Sequence, residues 1–169
     1  LRKAGFREPE VVLEGFLTKD ELLAAASAEL ALVIHQTEQL QMLQECTLAE
    51  PVSCWLKADT GMNRLGFSIQ YIPAAFHALK DHVNVRGVPG LMTHLANADD
   101  RNDQYINLQL NRLQPLLTRL GAESSIANSA AILGWPETHG DWNRPGLMLY
   151  GASPFAGSNG SDLGLRPAM

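Results

Sequence analysis

The chain has 169 residues, of which 46% are hydrophobic and 18% are charged, and its net charge is −5. This composition is typical of a globular protein and argues against extensive disorder. Its lysine and arginine residues are scattered, so no nucleic-acid-binding face is predicted, and no apolar run reaches the ~20 residues of a membrane helix.

Apolar, β-branched runs alternate with amphipathic stretches, which indicates strands alternating with helices. Thr18 and Glu21 occupy capping-box positions of the first helix, and Thr37 is expected to cap the second. Pro115 lies inside the longest helix and should bend it. The strands are predicted over residues 9–15, 30–36, 52–59, 90–97, 124–128 and 144–151, and the helices over residues 18–30, 37–46, 72–80, 102–120 and 129–133.

Six strands that alternate with helices predict an α/β domain with a parallel sheet. The strands are apolar on both faces, which is compatible with an open sheet between two helix layers and with a closed barrel. Periodicity alone does not separate these two alternatives. A complete (β/α)8 barrel takes about 250 residues, so a barrel would be incomplete in this chain.

Polar side chains lie at the C-terminal ends of the first five strands, where parallel α/β folds gather their functional groups, and at the start of the last strand. Packing would explain His35, and turn chemistry would explain Asp59. Lys57 is harder to explain, because a charged lysine in an apolar strand needs a partner or a modification. The chemistry alone indicates an enzyme or a binding domain with an anionic ligand. The full set is Glu14, His35, Gln36, Lys57, Asp59, Arg64, His94, Asn97, Asn128, Ser129, Asn143 and Arg144.

Four motifs, in order along the chain, resemble those of the alanine racemases, pyridoxal-phosphate enzymes with a barrel domain. KADTGMNRLG, at residues 57–66, is similar to the family's D-T-G-M-x-R-L-G signature. The resemblance covers essentially the whole chain and implies an incomplete (β/α)8 TIM-type barrel with about six of eight strands. It places this partial barrel at residues 1–153 and an exit segment toward a C-terminal β domain at residues 154–169. The other motifs are HLANAD (94–99), IANSAAIL (126–133) and NRPGLMLYG (143–151).

The resemblance also implies roles for individual residues. Arg64 matches the arginine that contacts the cofactor's phenolic oxygen and receives the substrate carboxylate. Lys57 matches a lysine that is carbamylated in several members, which would give Arg64 a planar, anionic partner. His94 matches the histidine beside the pyridine ring. The implied phosphate contacts are Asn128, Ser129, Gly146 and Leu147.

Arg144 matches the family's arginine at the pyridine nitrogen. An arginine stays protonated, so it discourages a proton on that nitrogen and weakens the cofactor as an electron sink. Proton exchange at the α carbon would then be favoured over side reactions such as transamination.

As a whole, the resemblance implies a cytoplasmic, homodimeric enzyme that interconverts L-alanine and D-alanine with pyridoxal 5'-phosphate and supplies D-alanine for peptidoglycan. Its two bases, a cofactor-bearing lysine and a tyrosine, are expected outside this chain, which would be inactive alone. A broad-specificity amino-acid racemase and a non-catalytic cofactor-binding barrel are the alternatives. No metal, nucleic-acid or membrane partner is expected, and Cys46 and Cys54 are predicted to be buried free thiols.

Overall fold

The computed structural model describes residues 1–168, in which strands and helices alternate as the sequence predicts. Short 3₁₀ helices lie at Arg2–Ala4, Pro136–Thr138, Leu147–Leu149 and Gly160–Leu163. The strands are β1 (Val11–Val12), β2 (Ala31–Ile34), β3 (Cys54–Asp59), β4 (Phe67–Ser68), β5 (Gly90–Met92), β6 (Ser124–Asn128) and β7 (Trp142–Arg144). The α-helices are α1 (Lys19–Ser27), α2 (Thr37–Glu45), α3 (Ile72–Lys80), α4 (Tyr105–Leu120) and α5 (Ser129–Gly134).

The chain divides into two compact units. The first unit comprises residues 1–58 and 65–91, and the second comprises residues 59–64 together with the chain from Met92 onward. The loop at residues 59–64 therefore belongs to the second unit although β3, which precedes it, lies almost entirely in the first.

The sheet of the first unit has the strand order β1-β2-β3-β5, with the short β4 beside β3. β1 pairs in parallel with β2, and β2 pairs in parallel with β3, where Val33 lies opposite Trp55. The central strands are buried on both faces, as expected of a parallel sheet covered by helices. The fully buried side chains that form this core include Leu22, Leu32, Ile34, Leu43, Leu56, Ile72 and Leu79.

Helix starts in the first unit follow the predicted chemistry in one case and depart from it in another. The capping box of α1 is confirmed, since the Thr18 hydroxyl accepts from the Glu21 N–H and the Glu21 carboxylate accepts from the Thr18 N–H. The expected cap at Thr37 is wrong. Gln36 is the N-cap of α2 and makes no side-chain cap, because Thr37 already forms the first helical residue.

In the second unit, β6 pairs in parallel with β7, with Asn128 opposite Arg144. Thr93, directly after β5, donates its N–H to the Ser125 carbonyl at 3.1 Å. The long helix α4 spans Pro115 and buries an apolar stripe. This stripe consists of Ile106, Leu110, Leu113 and Leu116.

Most of the predicted strands are shorter than expected, and one strand was missed. The prediction of a last strand over 144–151 is wrong, because β7 ends at Arg144 and the chain then turns into a 3₁₀ helix. Pro145 has no N–H to continue the ladder. β5 ends at Met92 instead of continuing to residue 97, and within the expected range the N–H of Ala96 bonds to a side chain of α4. The two-residue strand β4 was not predicted.

Candidate functional site

Arg144 lies at the end of β7, and hydrogen bonds to neighbouring segments hold its cationic guanidinium. Its Nη1 donates to the Ser125 hydroxyl at 2.5 Å, and its Nη2 donates to the carbonyls of Thr93 at 2.6 Å and Ile126 at 3.1 Å. Burial lowers the pKa of Arg144 to about 10, which still leaves the side chain protonated at neutral pH. No carboxylate within residues 1–168 pairs with it, and its Nε–H and second Nη1 hydrogen have no acceptor there. Arg144 can therefore donate to a ligand.

Asn128 and Ser129 lie where β6 passes into α5. The Asn128 carboxamide oxygen accepts from the Ala131 N–H at 3.0 Å and caps the helix. The buried Ser129 hydroxyl accepts from the Met148 N–H at 3.2 Å, which ties the segment after β7 to the start of α5. The N–H of Ser129 bonds to no acceptor in residues 1–168, so this junction keeps an amide available for an anion.

Gly146 and Leu147 differ in what their N–H groups can do. The Gly146 N–H already donates to the Arg144 carbonyl at 2.9 Å, whereas the Leu147 N–H has no acceptor in the described chain. A Cβ built on Gly146 would meet no atom within 4 Å, so the backbone there is open to a ligand. Of the two backbone N–H groups expected to bind phosphate, that of Leu147 is therefore available. The N–H of Gly146 would have to donate to the phosphate and to the Arg144 carbonyl at the same time.

The loop at residues 59–64 forms a tight turn that ends in Arg64. One carboxylate oxygen of Asp59 accepts from the N–H groups of Gly61 and Asn63, each at 3.0 Å. Asn63 and Gly61 both have positive φ, at 56° and 140°. Turn chemistry therefore explains Asp59, as the sequence allowed. Arg64 is exposed and has no hydrogen bond or ion pair with residues 1–168, which leaves its guanidinium available.

Helix α4 holds this turn through side chains that sequence reasoning missed. Tyr105 donates its hydroxyl to the Gly61 carbonyl at 3.0 Å, and Arg112 donates Nη1 to the Thr60 carbonyl at 2.7 Å. Together with Gln109 these residues follow a spacing of about one helical turn, which puts them on one face. That spacing was visible in the sequence, but nothing there identified their partners.

His94, two residues beyond β5, is half-buried, and its carbonyl accepts from Nε2 of Gln109 at 3.0 Å. Its neighbour Thr93 accepts from Arg144. The segment after β5 therefore contacts Arg144 through the carbonyl of Thr93, the residue that precedes His94.

Lys57 belongs to the first unit and lies inside β3, where it is only 9% exposed. Leu56 and Ala58 beside it are also buried. The sequence indicated a lysine within an apolar strand, and the structure buries it as expected; its carbamylation stays a prediction.

His35 in the first unit and Asp141 before β7 have structural duties. Nε2 of His35 lies 3.1 Å from the Glu14 carbonyl, and the ring is buried, so packing explains this histidine. The Asp141 carboxylate accepts from the N–H and the hydroxyl of Ser124 at 2.8 and 2.9 Å. These bonds lower the pKa of Asp141 below its ordinary value. Asp141 therefore fixes the approach of the chain to β7.

No helix within residues 1–168 has the length and apolar character to span a bilayer. Nor does that part of the chain contain a group of three or more His, Cys, Asp or Glu side chains that could hold a metal ion.

The chain is similar to known proteins along its length. The family model described as "Alanine racemase, N-terminal domain" matches residues 1–154. Alanine racemases from Halorhodospira halophila and Nitrosococcus oceani are 48% and 45% identical to it over 169 residues. These alignments cover 100% of the chain but only 46% and 47% of the relatives, so the chain spans just under half of their length.

Solved structures give the same result. The biosynthetic alanine racemase of Pseudomonas aeruginosa matches with a TM-score of 0.92 and 38% identity, over 98% of this chain and 46% of that one. The alanine racemase of Acinetobacter baumannii matches with a TM-score of 0.88 and 35% identity, over 98% of this chain and 49% of that one. The predicted fold class, an incomplete α/β TIM-type barrel, is confirmed, and the open-sheet alternative is set aside.

Proposed function

Because this chain belongs to the family of alanine racemase N-terminal domains, we propose that it is the barrel part of an enzyme that interconverts L-alanine and D-alanine. The observation that carries the proposal is Arg144, a partly buried cation with unused N–H groups and no carboxylate partner in residues 1–168. The names of the relatives favour alanine over a broader range of amino acids. By family resemblance, the proposal extends to a cytoplasmic homodimer.

We propose pyridoxal 5'-phosphate as the cofactor, because the donors described above suit an anionic, aromatic group. When bound, it withdraws electrons from the α carbon of an amino acid and acidifies the proton there. The free N–H groups of Ser129 and Leu147 would bind its phosphate, as oriented backbone amides do in other anion sites. His94 would lie beside its ring.

Arg144 would donate a hydrogen bond to the pyridine nitrogen through its unused N–H groups. Since its pKa of about 10 keeps the guanidinium charged at neutral pH, that nitrogen would stay unprotonated. The electron withdrawal is then limited, so proton exchange at the α carbon is favoured over transamination.

Arg64 would receive the substrate carboxylate, since its guanidinium has no partner in residues 1–168. Two bases on opposite faces of the cofactor are needed for racemisation. We propose that the lysine and the tyrosine that serve as these bases lie outside this chain, in the rest of the protein.

Carbamylation of Lys57 is also part of the proposal, because Lys57 lies buried in β3 and matches a lysine that is carbamylated in several alanine racemases. A carbamate would form when the neutral lysine amine bonds to the carbon of carbon dioxide and releases a proton to solvent, and it would carry a negative charge. Growth of the protein with ¹³C-labelled bicarbonate should then give a carbamate signal in ¹³C NMR spectra, and the signal should vanish in Lys57→Gln. A spectrum without that signal would contradict the carbamate and leave the racemase assignment intact.

The decisive experiment uses the complete protein that contains this chain, with pyridoxal 5'-phosphate and L-alanine. We expect D-alanine to form, measured with D-amino-acid oxidase. Arg64→Ala should lower kcat/KM on the order of 100-fold, because a charged partner of the carboxylate is lost. Arg86→Ala changes an exposed arginine in the first unit and should retain wild-type activity.

Two outcomes would contradict these statements separately. A wild-type protein that binds the cofactor but produces no D-alanine would overturn the racemase assignment. Full activity of Arg64→Ala with normal cofactor binding would overturn the role of Arg64 alone.

A further inference from the structure

Gln109 is a fully buried polar residue in the otherwise apolar inward face of α4. Its side chain is 0% exposed, and Ile106 and Leu113 on the same helix are equally buried. A buried amide is costly unless its polar atoms are hydrogen-bonded. Here every bonding group is used: Oε1 accepts from the Ala96 N–H at 2.9 Å, while Nε2 donates to the His94 carbonyl at 3.0 Å and to the Thr60 hydroxyl at 2.9 Å.

The three bonds fix the orientation of the Gln109 amide. Ala96 offers a donor, so the amide oxygen must face it, and both hydrogens of Nε2 are then directed at acceptors. A flipped amide would place its NH₂ group against the Ala96 N–H and its oxygen against the His94 carbonyl, and would lose both backbone bonds. The amide therefore has one orientation that satisfies its partners.

The hydroxyl of Thr60 extends this network to Thr93. Thr60 accepts from Gln109, and its oxygen lies 2.8 Å from the Thr93 hydroxyl, with both side chains buried. Either of the two hydroxyls can donate in this pair, and the backbone carbonyl of Thr93 accepts from Arg144.

The network joins two segments that carry predicted site residues. Of the three α4 side chains that contact the turn, Tyr105 and Arg112 reach only its carbonyls. Gln109 alone among them also bonds to the segment that contains His94. It therefore sets the spacing between His94 and the turn that ends in Arg64.

We propose that Gln109 is a positioning residue of the cofactor and substrate site, which holds His94 and the Arg64 turn in register. This inference rests on the proposed function, in which His94 lies beside the cofactor and Arg64 receives the substrate carboxylate. A leucine would fill a similar volume, so filling the core does not require a glutamine here. The amide contributes a fixed geometry, and small displacements of groups that bind a reacting substrate cost much of the rate.

The test compares three variants of the complete protein loaded with pyridoxal 5'-phosphate. Gln109→Leu removes all three hydrogen bonds at nearly constant volume. Thr60→Val removes only the hydroxyl link and keeps the bond to His94. Gln114→Leu makes the same substitution at an exposed position of the same helix and is the control. The measurements are the Kd for the cofactor from its absorption, KM and kcat for alanine, and Tm.

In Gln109→Leu we expect both the Kd for the cofactor and the KM for alanine to rise, each about tenfold, because both segments lose their connection. In Thr60→Val we expect the KM for alanine to rise severalfold with a nearly unchanged Kd, since the His94 bond remains. Gln114→Leu should match the wild type in both. Together these results would establish positioning, because a purely structural residue changes Tm alone.

The proposal is overturned if Gln109→Leu lowers Tm while Kd and KM stay at wild-type values. If Gln109→Leu does not fold, Thr60→Val decides, and a wild-type KM in that variant overturns the proposal. A wild type that binds the cofactor without racemising alanine refutes the proposed function. The Kd for the cofactor in Gln109→Leu, compared with that of the wild type, then tests the role of Gln109 by itself. A wild type that does not bind the cofactor overturns both.

Discussion

The hydroxyl of Tyr105 donates a 3.0 Å hydrogen bond to the carbonyl of Gly61, which joins the first turn of α4 to the turn that ends in Arg64. A Cβ on Gly61 would overlap that same hydroxyl and stand 3.0 Å from Nη1 of Arg112. Gly61 also has a φ of 140°, a conformation that side-chain-bearing residues rarely adopt. The close approach of α4 to this turn therefore requires a glycine.

We expect Gly61→Ala to lower the free energy of unfolding by about 1–3 kcal/mol. An alanine at this positive φ is strained, and its Cβ would also displace the Tyr105 hydroxyl. The KM for alanine should rise as well, because the Arg64 turn moves. Gly87→Ala is the control, as Gly87 also has a positive φ but no atom within 4 Å of a built Cβ. Chemical denaturation and steady-state kinetics measure both effects, and a wild-type KM for Gly61→Ala would contradict this account.

Substitutions of Arg144 test whether its cation limits electron withdrawal by the cofactor. In Arg144→Glu the cation is replaced by a group that favours a proton on the pyridine nitrogen, so transamination should increase relative to racemisation. Arg144→Lys keeps a cation but has too few donors to bond Ser125, Thr93 and Ile126 as well as a ligand. It should lose cofactor affinity with little change in the product ratio. Pyruvate and D-alanine are quantified together, and an unchanged ratio in Arg144→Glu would refute the argument.

Asp141 predicts a dependence of stability on acid pH. Hydrogen bonds from Ser124 lower the pKa of Asp141 in the folded state. Its contribution to stability is therefore complete above the pKa of an unfolded aspartate, which is about 3.9. The contribution is lost as pH falls through the lower, folded value. Asp141→Asn should therefore have a lower Tm than the wild type at pH 6. The difference in Tm between the two proteins should become smaller below pH 4. Asp99→Asn, an exposed aspartate with no side-chain hydrogen bond in the described chain, should show no such difference. Parallel Tm curves for wild type and Asp141→Asn would contradict the prediction.

The two cysteines should react at different rates with thiol reagents. Burial raises the pKa of Cys54 to about 12, so at pH 8 almost no thiolate is present. Cys46 is partly exposed. The prediction that both thiols are free holds in the structure, whereas full burial is wrong for Cys46 because it lies at the end of α2. With 5,5'-dithiobis(2-nitrobenzoic acid), Cys46→Ser should remove a fast phase that Cys54→Ser retains. Equal rates would contradict the burial of Cys54.

Several features of this protein follow from the sequence because local chemistry determines them. The capping box at Thr18, the start of α5 after Asn128 and the alternation of strands and helices depend on side chains close in the chain. The ordered motifs led to the family by resemblance, and the fold class followed from it. The error at β7 arose because Pro145, directly after Arg144, has no N–H and ends the ladder.

Only the tertiary structure decided the partners of the polar side chains. Gln109 and Thr60 are 49 positions apart, and Arg144 and Thr93 are 51 apart. No periodicity relates such positions, because their contact depends on how strands and helices pack. The sequence thus determined which chemical groups the site contains, whereas packing determined which group holds each one in place.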